Sequence, residues 1–221
     1  MRARALHRLF SWTAGAALAA AAAAAPGEAP GAPADELLAR LKSPVPAERV
    51  EAVRGLAEKG AMAHSAPLAG LLKDSDPLVR EAAHDALWMI WMRSGDAEVD
   101  ALMRRGVMWM QQDLHDKAIE TFSEMIALKP RFAEAWNKRA TALYMAKRYK
   151  ESIADCGKTL ALNPYHFGAL FGLGLNYIGL KDWEGAISAF RRTLQVLPHS
   201  EAAKRYIEAI ERVLAESRKK L

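Results

Sequence analysis

LFGLGLNYIGLKDWEGAISAFRRTLQVLP, residues 170–198, is the third copy of a pattern that begins at Leu102. Gly106, Ala140 and Gly174 stand 34 residues apart, as do Ala118, Ser152 and Ala186, and Pro130, Pro164 and Pro198. A fixed period of that length, kept by residues with different steric roles, marks a stack of equivalent supersecondary units. Each unit reads as two antiparallel helices. The small residues fall where the pair crosses most closely, and each proline, lacking an N–H and fixed in φ, stops the second helix. No alternating apolar run extends beyond a few residues, so the predicted fold class is all-α, a helical-repeat solenoid.

These positions resemble the tetratricopeptide repeat, whose pattern is W-x2-L-G-x2-Y, then A-x3-F, then P. The third unit matches at Leu170, Leu173, Gly174, Tyr177, Ala186, Phe190 and Pro198. The first places Leu102, Arg105, Gly106, Trp109, Ala118, Phe122 and Pro130 in the same slots, and the second Trp136, Arg139, Ala140, Leu143, Ser152, Cys156 and Pro164. The departures are the two arginines in a leucine slot, with Ser152 and Cys156. What the resemblance implies is a non-catalytic scaffold whose partner is a protein or peptide.

Ahead of these units a shorter repeat recurs at 31 residues: Leu41, Lys42, Pro46, Arg49, Ala52 and Leu56 correspond to Leu72, Lys73, Pro77, Arg80, Ala83 and Leu87. Asp76 is a natural N-cap with Pro77 in the first helical position. The phrase from Leu71 to Ala83 is similar to HEAT repeats. Two copies alone make a marginal solenoid, so the first 34-residue unit is the expected neighbour. The helix from Pro77 to Arg93 ends in Leu87-Trp88-Met89-Ile90-Trp91-Met92, apolar all round, and reads as core between the two repeat sets. With Gly95 as a helix C-cap and Asp96 as the next N-cap, the link Ser94-Gly95-Asp96 is short enough to join them as one rigid rod.

After Pro198, a helix over about 200–217 spaces Ala203, Tyr206, Ile207, Ile210, Val213 and Leu214 on one face and is expected to cap the stack. The expected organisation is therefore a leader over 1–25, a Pro/Gly/Ala-rich linker over 26–34, HEAT-like repeats over 35–95, three tetratricopeptide-like units over 96–200, and a capping helix and tail over 201–221. The leader has a basic start, an apolar run and small residues near Ala25, the layout of a secretory signal peptide. It predicts export, to a periplasm or outside the cell, with an organellar transit peptide as the other reading. The run is too short and too alanine-rich for a permanent membrane span, which needs ~20 apolar residues.

The formal net charge of +5 includes Arg2, Arg4 and Arg8 of the leader; without them 28 basic residues face 26 acidic ones. That near-neutrality argues against a nucleic-acid partner. Cys156 is the sole cysteine, so no intramolecular disulfide forms, and its slot predicts a buried thiol.

Gly172-Leu173-Gly174 lies inside a predicted helix rather than after a strand and lacks the third glycine of a dinucleotide loop. His64, His84, His115, His166 and His199 show no metal-ligand spacing and read as surface or loop residues. Asp116, Glu120 and Glu124 are spaced as a solvated helix face. Nothing implies an enzyme, a cofactor or a metal. The resemblance places the binding surface on the first helix of each unit: Met103, Val107 and Met110, then Asn137, Thr141 and Tyr144, then Phe171, Leu175 and Ile178. This strip is mostly apolar, and Asn137 alone is left of the polar set with which some family members clamp a C-terminal carboxylate. Two readings stay open. Either the groove takes an apolar peptide or amphipathic helix, with Asn137 bonding a peptide backbone, or the first repeat pair or the capping helix fills it.

Overall fold

The computed structural model describes residues 33–218; the expected leader, the linker up to residue 32 and the tail from Lys219 lie outside the described residues. Among the described residues eleven α-helices follow one another and no strand occurs. Helices α1 (Ala34–Arg40) and α2 (Pro46–Lys59), then α3 (Ser65–Leu71) and α4 (Pro77–Met92), form the first repeat pair. The 34-residue units are α5 (Ala97–Gln111) with α6 (His115–Leu128), α7 (Ala133–Met145) with α8 (Tyr149–Leu162), and α9 (Phe167–Gly179) with α10 (Trp183–Val196). The capping helix is α11 (Glu201–Arg218).

Helix starts follow the local chemistry. Asp76 Oδ1 accepts from the backbone N–H of Leu78 at 2.8 Å and Val79 at 3.3 Å, ahead of Pro77. Asp96 does the same for Glu98 and Val99, and Gly95 before it sits at φ +69°. Inside each 34-residue unit the turn between helices rests on one left-handed residue, and none of the three is glycine: Asp113 (φ 58°), Lys147 (φ 60°) and Lys181 (φ 61°). The next residue's N–H returns to a carbonyl near the end of the first helix, as in Leu114 to Trp109, Arg148 to Leu143 and Asp182 to Tyr177. These bonds satisfy carbonyls that a helix end leaves without partners.

The crossings explain both the period and its exceptions. A Cβ on Gly106 would lie 2.3 Å from the Phe122 ring, and one on Gly174 would lie 2.5 Å from that of Phe190. In the second unit Ala140 meets Cys156 instead, so a larger residue on one helix is matched by a smaller one on the other. Ser152, in the alanine slot, donates to the Ala140 carbonyl at 2.7 Å and accepts from Asn176 at 2.9 Å, so its hydroxyl is buried but partnered. Arg139 fills its leucine slot through a two-pronged bond to Asp155 (2.7 and 2.9 Å), a bond to Ser123 and the face of Trp136. Arg105 is more exposed and pairs with Glu124.

In the first repeat pair Arg49 reaches across to Asp74 with two bonds of 2.7 and 2.9 Å, and Arg80 donates to the Asp74 and Ser75 carbonyls. Arg49 thus ties the two repeats together, while Arg80 braces the turn of its own repeat. α2 packs on α4, and Arg93 donates to the Ala57 and Gly60 carbonyls at the end of α2.

The expected rod with the first 34-residue unit as the neighbour of α4 is corrected by the packing. The link is indeed held, since Lys129 donates to the Ser94 carbonyl and Ser94 to the Asp100 carboxylate. The apolar partners of α4, however, belong to the junction of the second and third units. Trp91 lies 4.6 Å from His166 and 5.0 Å from Phe167, ring centre to ring centre, and a Cβ on Gly168 would meet Trp88 at 2.9 Å. Tyr165, Val196 and Leu197 pack against the same core. The first repeat pair therefore lies along the edge formed by the turns between units and forms one compact unit with them. Nor is α4 buried all round: Leu87, Ile90 and Trp91 are buried, but Met89 is 48% exposed.

At the other end α11 buries Ala203, Tyr206 and Ile210 on the last unit, with Tyr206 stacked 5.0 Å from Phe190. Val213, expected on the covered face, is exposed. Cys156 is buried, and burial, with Asp155 beside it, pushes its thiol up to about 12.

A candidate groove on the first helices of the units

Helices α5, α7 and α9 carry the nine groove residues. Met103, Asn137 and Leu175 are buried; Val107, Met110, Thr141, Tyr144, Phe171 and Ile178 are half-buried. They gather in two apolar groups. Met103, Val107 and Met110 pack with Phe122, Ala135 and Ala142, while Tyr144, Phe171, Leu175 and Ile178 pack with Phe190 and Tyr206. Burial, with Tyr206 and Tyr149 nearby, raises the Tyr144 hydroxyl to about 12, so it stays a neutral donor.

Between the two groups lie the polar members, and each is engaged within the chain. Thr141 donates to the Asn137 carbonyl at 3.0 Å, and the Asn137 amide donates to Glu134 at 3.1 Å. Glu134 is wholly buried and is the centre of a polar cluster absent from the expected site. Its other oxygen receives His166 Nε2 at 2.8 Å, and Lys138 stands 3.1 Å away. Burial opposes its ionisation, but Lys138, His166 and Asn137 outweigh that and hold the carboxyl at about 2. His166 Nδ1 accepts the Ala169 N–H at 3.1 Å, which places the ring proton on Nε2, facing Glu134. His166 is thus fully buried, contrary to its expected surface position; His64, His84, His115 and His199 are exposed or partly exposed. One signal for the cluster was present in the sequence: Glu134 falls on the 34-residue period with Asp100 and Gly168, on the inward side of the helices.

Of the two internal candidates for filling the groove, the capping helix touches one groove residue and the first repeat pair packs beside the strip. Trp88 and Trp91 of α4 cover its edge at His166, Phe167 and Gly168, and Tyr206 of α11 stands 5.7 Å from Phe171. A separate cleft of about 600 Å3 between α10 and α11, lined in part by Ile187, Arg191, Glu211 and Leu214, shares no residue with the groove. No helix among the described residues is long and apolar enough to cross a membrane.

The model of HEAT repeats matches residues 34–107, and two models of the tetratricopeptide repeat match 133–166 and 168–200. The chain carries both kinds of repeat. The HEAT match runs on into α5, yet α5 pairs with α6, and Gly106 meets Phe122 as Gly174 meets Phe190. A TPR repeat-containing protein of Rhizobium etli is 28% identical over 67% of this chain and 72% of its own length. The Hsp70-Hsp90 organizing protein of Triticum aestivum is 33% identical over 40% of this chain but only 15% of its own length. Among solved structures, the first TPR of Spaghetti (RPAP3) bound to an HSP90 peptide superposes with a TM-score of 0.51 at 24% identity, over 53% of this chain and 94% of that one. The likeness to that structure is one of fold.

Proposed function

We propose that this repeat protein is a non-catalytic interaction scaffold that binds an apolar protein segment along the first helices of its units. The observation that carries this reading is the pair of half-buried apolar groups, Val107 with Met110 and Tyr144 with Ile178, on one strip of a folded stack. Apolar surface left on a repeat stack is most often an interaction site. The kinship of the repeats with the Hsp70-Hsp90 organizing protein supports a protein partner. An acidic C-terminal peptide fits poorly, because no free cation lies among the nine groove residues and the Asn137 amide already serves Glu134. The leader reading makes the scaffold an exported one.

A structural or assembly role in an organelle or cell envelope is the second reading, favoured by the contact of Tyr206 with Phe171 and the packing of Trp88 beside the groove at Gly168. The deciding experiment captures a partner with the mature chain from its native compartment and titrates it against wild type, Met110→Ala and Tyr144→Ala at low and high salt. Burying an aliphatic or aromatic side chain contributes ~1.5–3 kcal/mol, so each truncation weakens groove binding about tenfold with little effect of salt. Steep salt dependence with both variants unchanged overturns the groove reading.

A further inference from the structure

Asn137 sits in the middle of the groove, yet it is only 6% exposed and its amide nitrogen donates to Glu134. Glu134 is bonded through its second oxygen to His166, and the His166 ring is covered by Trp91 of α4, stacked at 4.6 Å and 21°. A continuous line of contacts therefore runs from a HEAT helix to the floor of the groove. We propose that the first repeat pair is an autoinhibitory clamp: with α4 docked, the relay Trp91–His166–Glu134 holds the Asn137 amide away from ligands, and undocking of α4 releases it.

The physical basis is desolvation. Under α4 the Glu134 carboxylate meets no water, so the protein donors around it are its only partners and each bond is strong. Lifting α4 admits water to Glu134 and His166. A hydrated carboxylate holds a neighbouring amide weakly, and Asn137 is then free to bond a peptide backbone between the two apolar groups. Thr141 adds nothing in either state, since its hydroxyl bonds the carbonyl one turn back on its own helix. The closed form grips a partner by apolar contact alone, and the open form adds a polar anchor. By linkage, a partner that takes the Asn137 amide favours undocking to the same extent that undocking favours the partner. This use of the device rests on the groove reading; the clamp itself does not.

The test reads the chain alone and needs no partner. Hydrogen exchange of the Asn137 side-chain amide and of the α4 backbone amides is followed by NMR in the full chain, in Trp91→Ala and in Gly168→Glu. Trp91→Ala removes the stack. Gly168→Glu drives a charged side chain into Trp88, whose ring a Cβ already meets at 2.9 Å. In wild type both sets of amides are protected. In the variants the α4 amides and the Asn137 amide are expected to exchange at least tenfold faster together, while α6 and α8 stay protected. An Asn137 amide that keeps its protection after α4 has lost it overturns the relay. An α4 that keeps its protection in both variants overturns the clamp. Loss of protection in α6 and α8 as well, in both variants, also overturns it, because α4 is then part of one cooperative core. A failure to find any groove partner leaves these outcomes unchanged.

Discussion

The Trp91 ring stacks on the His166 ring at 4.6 Å, so a residue of the HEAT pair lies against a cluster in which a carboxylate, a histidine and an asparagine are buried together between two tetratricopeptide units. The contact joins the core of the two-repeat HEAT segment to the turn between the second and third 34-residue units. The segment takes Phe167 into its core, and Trp91 covers one face of His166.

Replacing Trp91 by alanine removes a side chain that is 1% exposed and leaves Ser65 without its indole donor. The expected loss is ~3–5 kcal/mol, the usual range for a large aromatic core residue. Because both repeat sets share this contact, a fragment from Asp96 to Leu221 should melt below the whole chain. Equal melting midpoints for fragment and whole chain contradict this.

Glu134 ionises at about 2 in the fold against an ordinary 4.5, with burial opposed by Lys138, His166 and Asn137. Between those values the unfolded chain binds more protons than the native one, so stability rises with pH across that window. The contribution is complete above about 4.5 and is lost as pH falls towards 2. Denaturation midpoints from pH 5 to pH 2 should fall more steeply in wild type than in Glu134→Gln. Parallel curves would show that the carboxyl does not ionise as its contacts imply.

Lys147 and Lys181 hold left-handed backbone, a conformation that costs an L-residue ~1–2 kcal/mol and glycine little. Lys147→Gly and Lys181→Gly should each gain ~0.5–1 kcal/mol after the extra chain entropy of glycine is allowed for. Asp113→Gly should gain less, since aspartate tolerates this region better. Thermal melts of the three variants give the ranking; a fall in midpoint for the lysines would refute the argument.

Gly174 and Phe190 form a matched pair, as Ala140 and Cys156 do. Gly174→Leu overfills the third crossing and should cost ~1–3 kcal/mol or more. Gly174→Ala and Phe190→Cys, which reproduce the second unit, should cost less together than the sum of the single changes, because the smaller partner makes room for the methyl. Strict additivity in a double-mutant cycle would mean that the two residues do not share the crossing.

The period, the helix pairs, their caps and the small residues at the crossings were legible in the chain because each is a local steric demand repeated at a fixed interval. Pro77 with Asp76, and Gly95 with Asp96, announce their helix ends by backbone chemistry alone. The left-handed turn residues were hidden, since two lysines in place of glycine carry no conformational signature of their own. How the two repeat sets meet was hidden too: the apolar face of α4 declares that it must be buried but not against what. Trp91, Glu134 and His166 are 32 or more residues apart along the chain. Trp91 reaches His166 by the path of α4 along the unit turns, and His166 reaches Glu134 where the third unit meets the second, whereas the Asn137–Glu134 bond spans one turn of α7. Local sequence thus determined each repeat, because its forces act within a few turns of helix; the tertiary structure decided how the two repeat sets meet, because Trp91 and His166 come together only through packing between them.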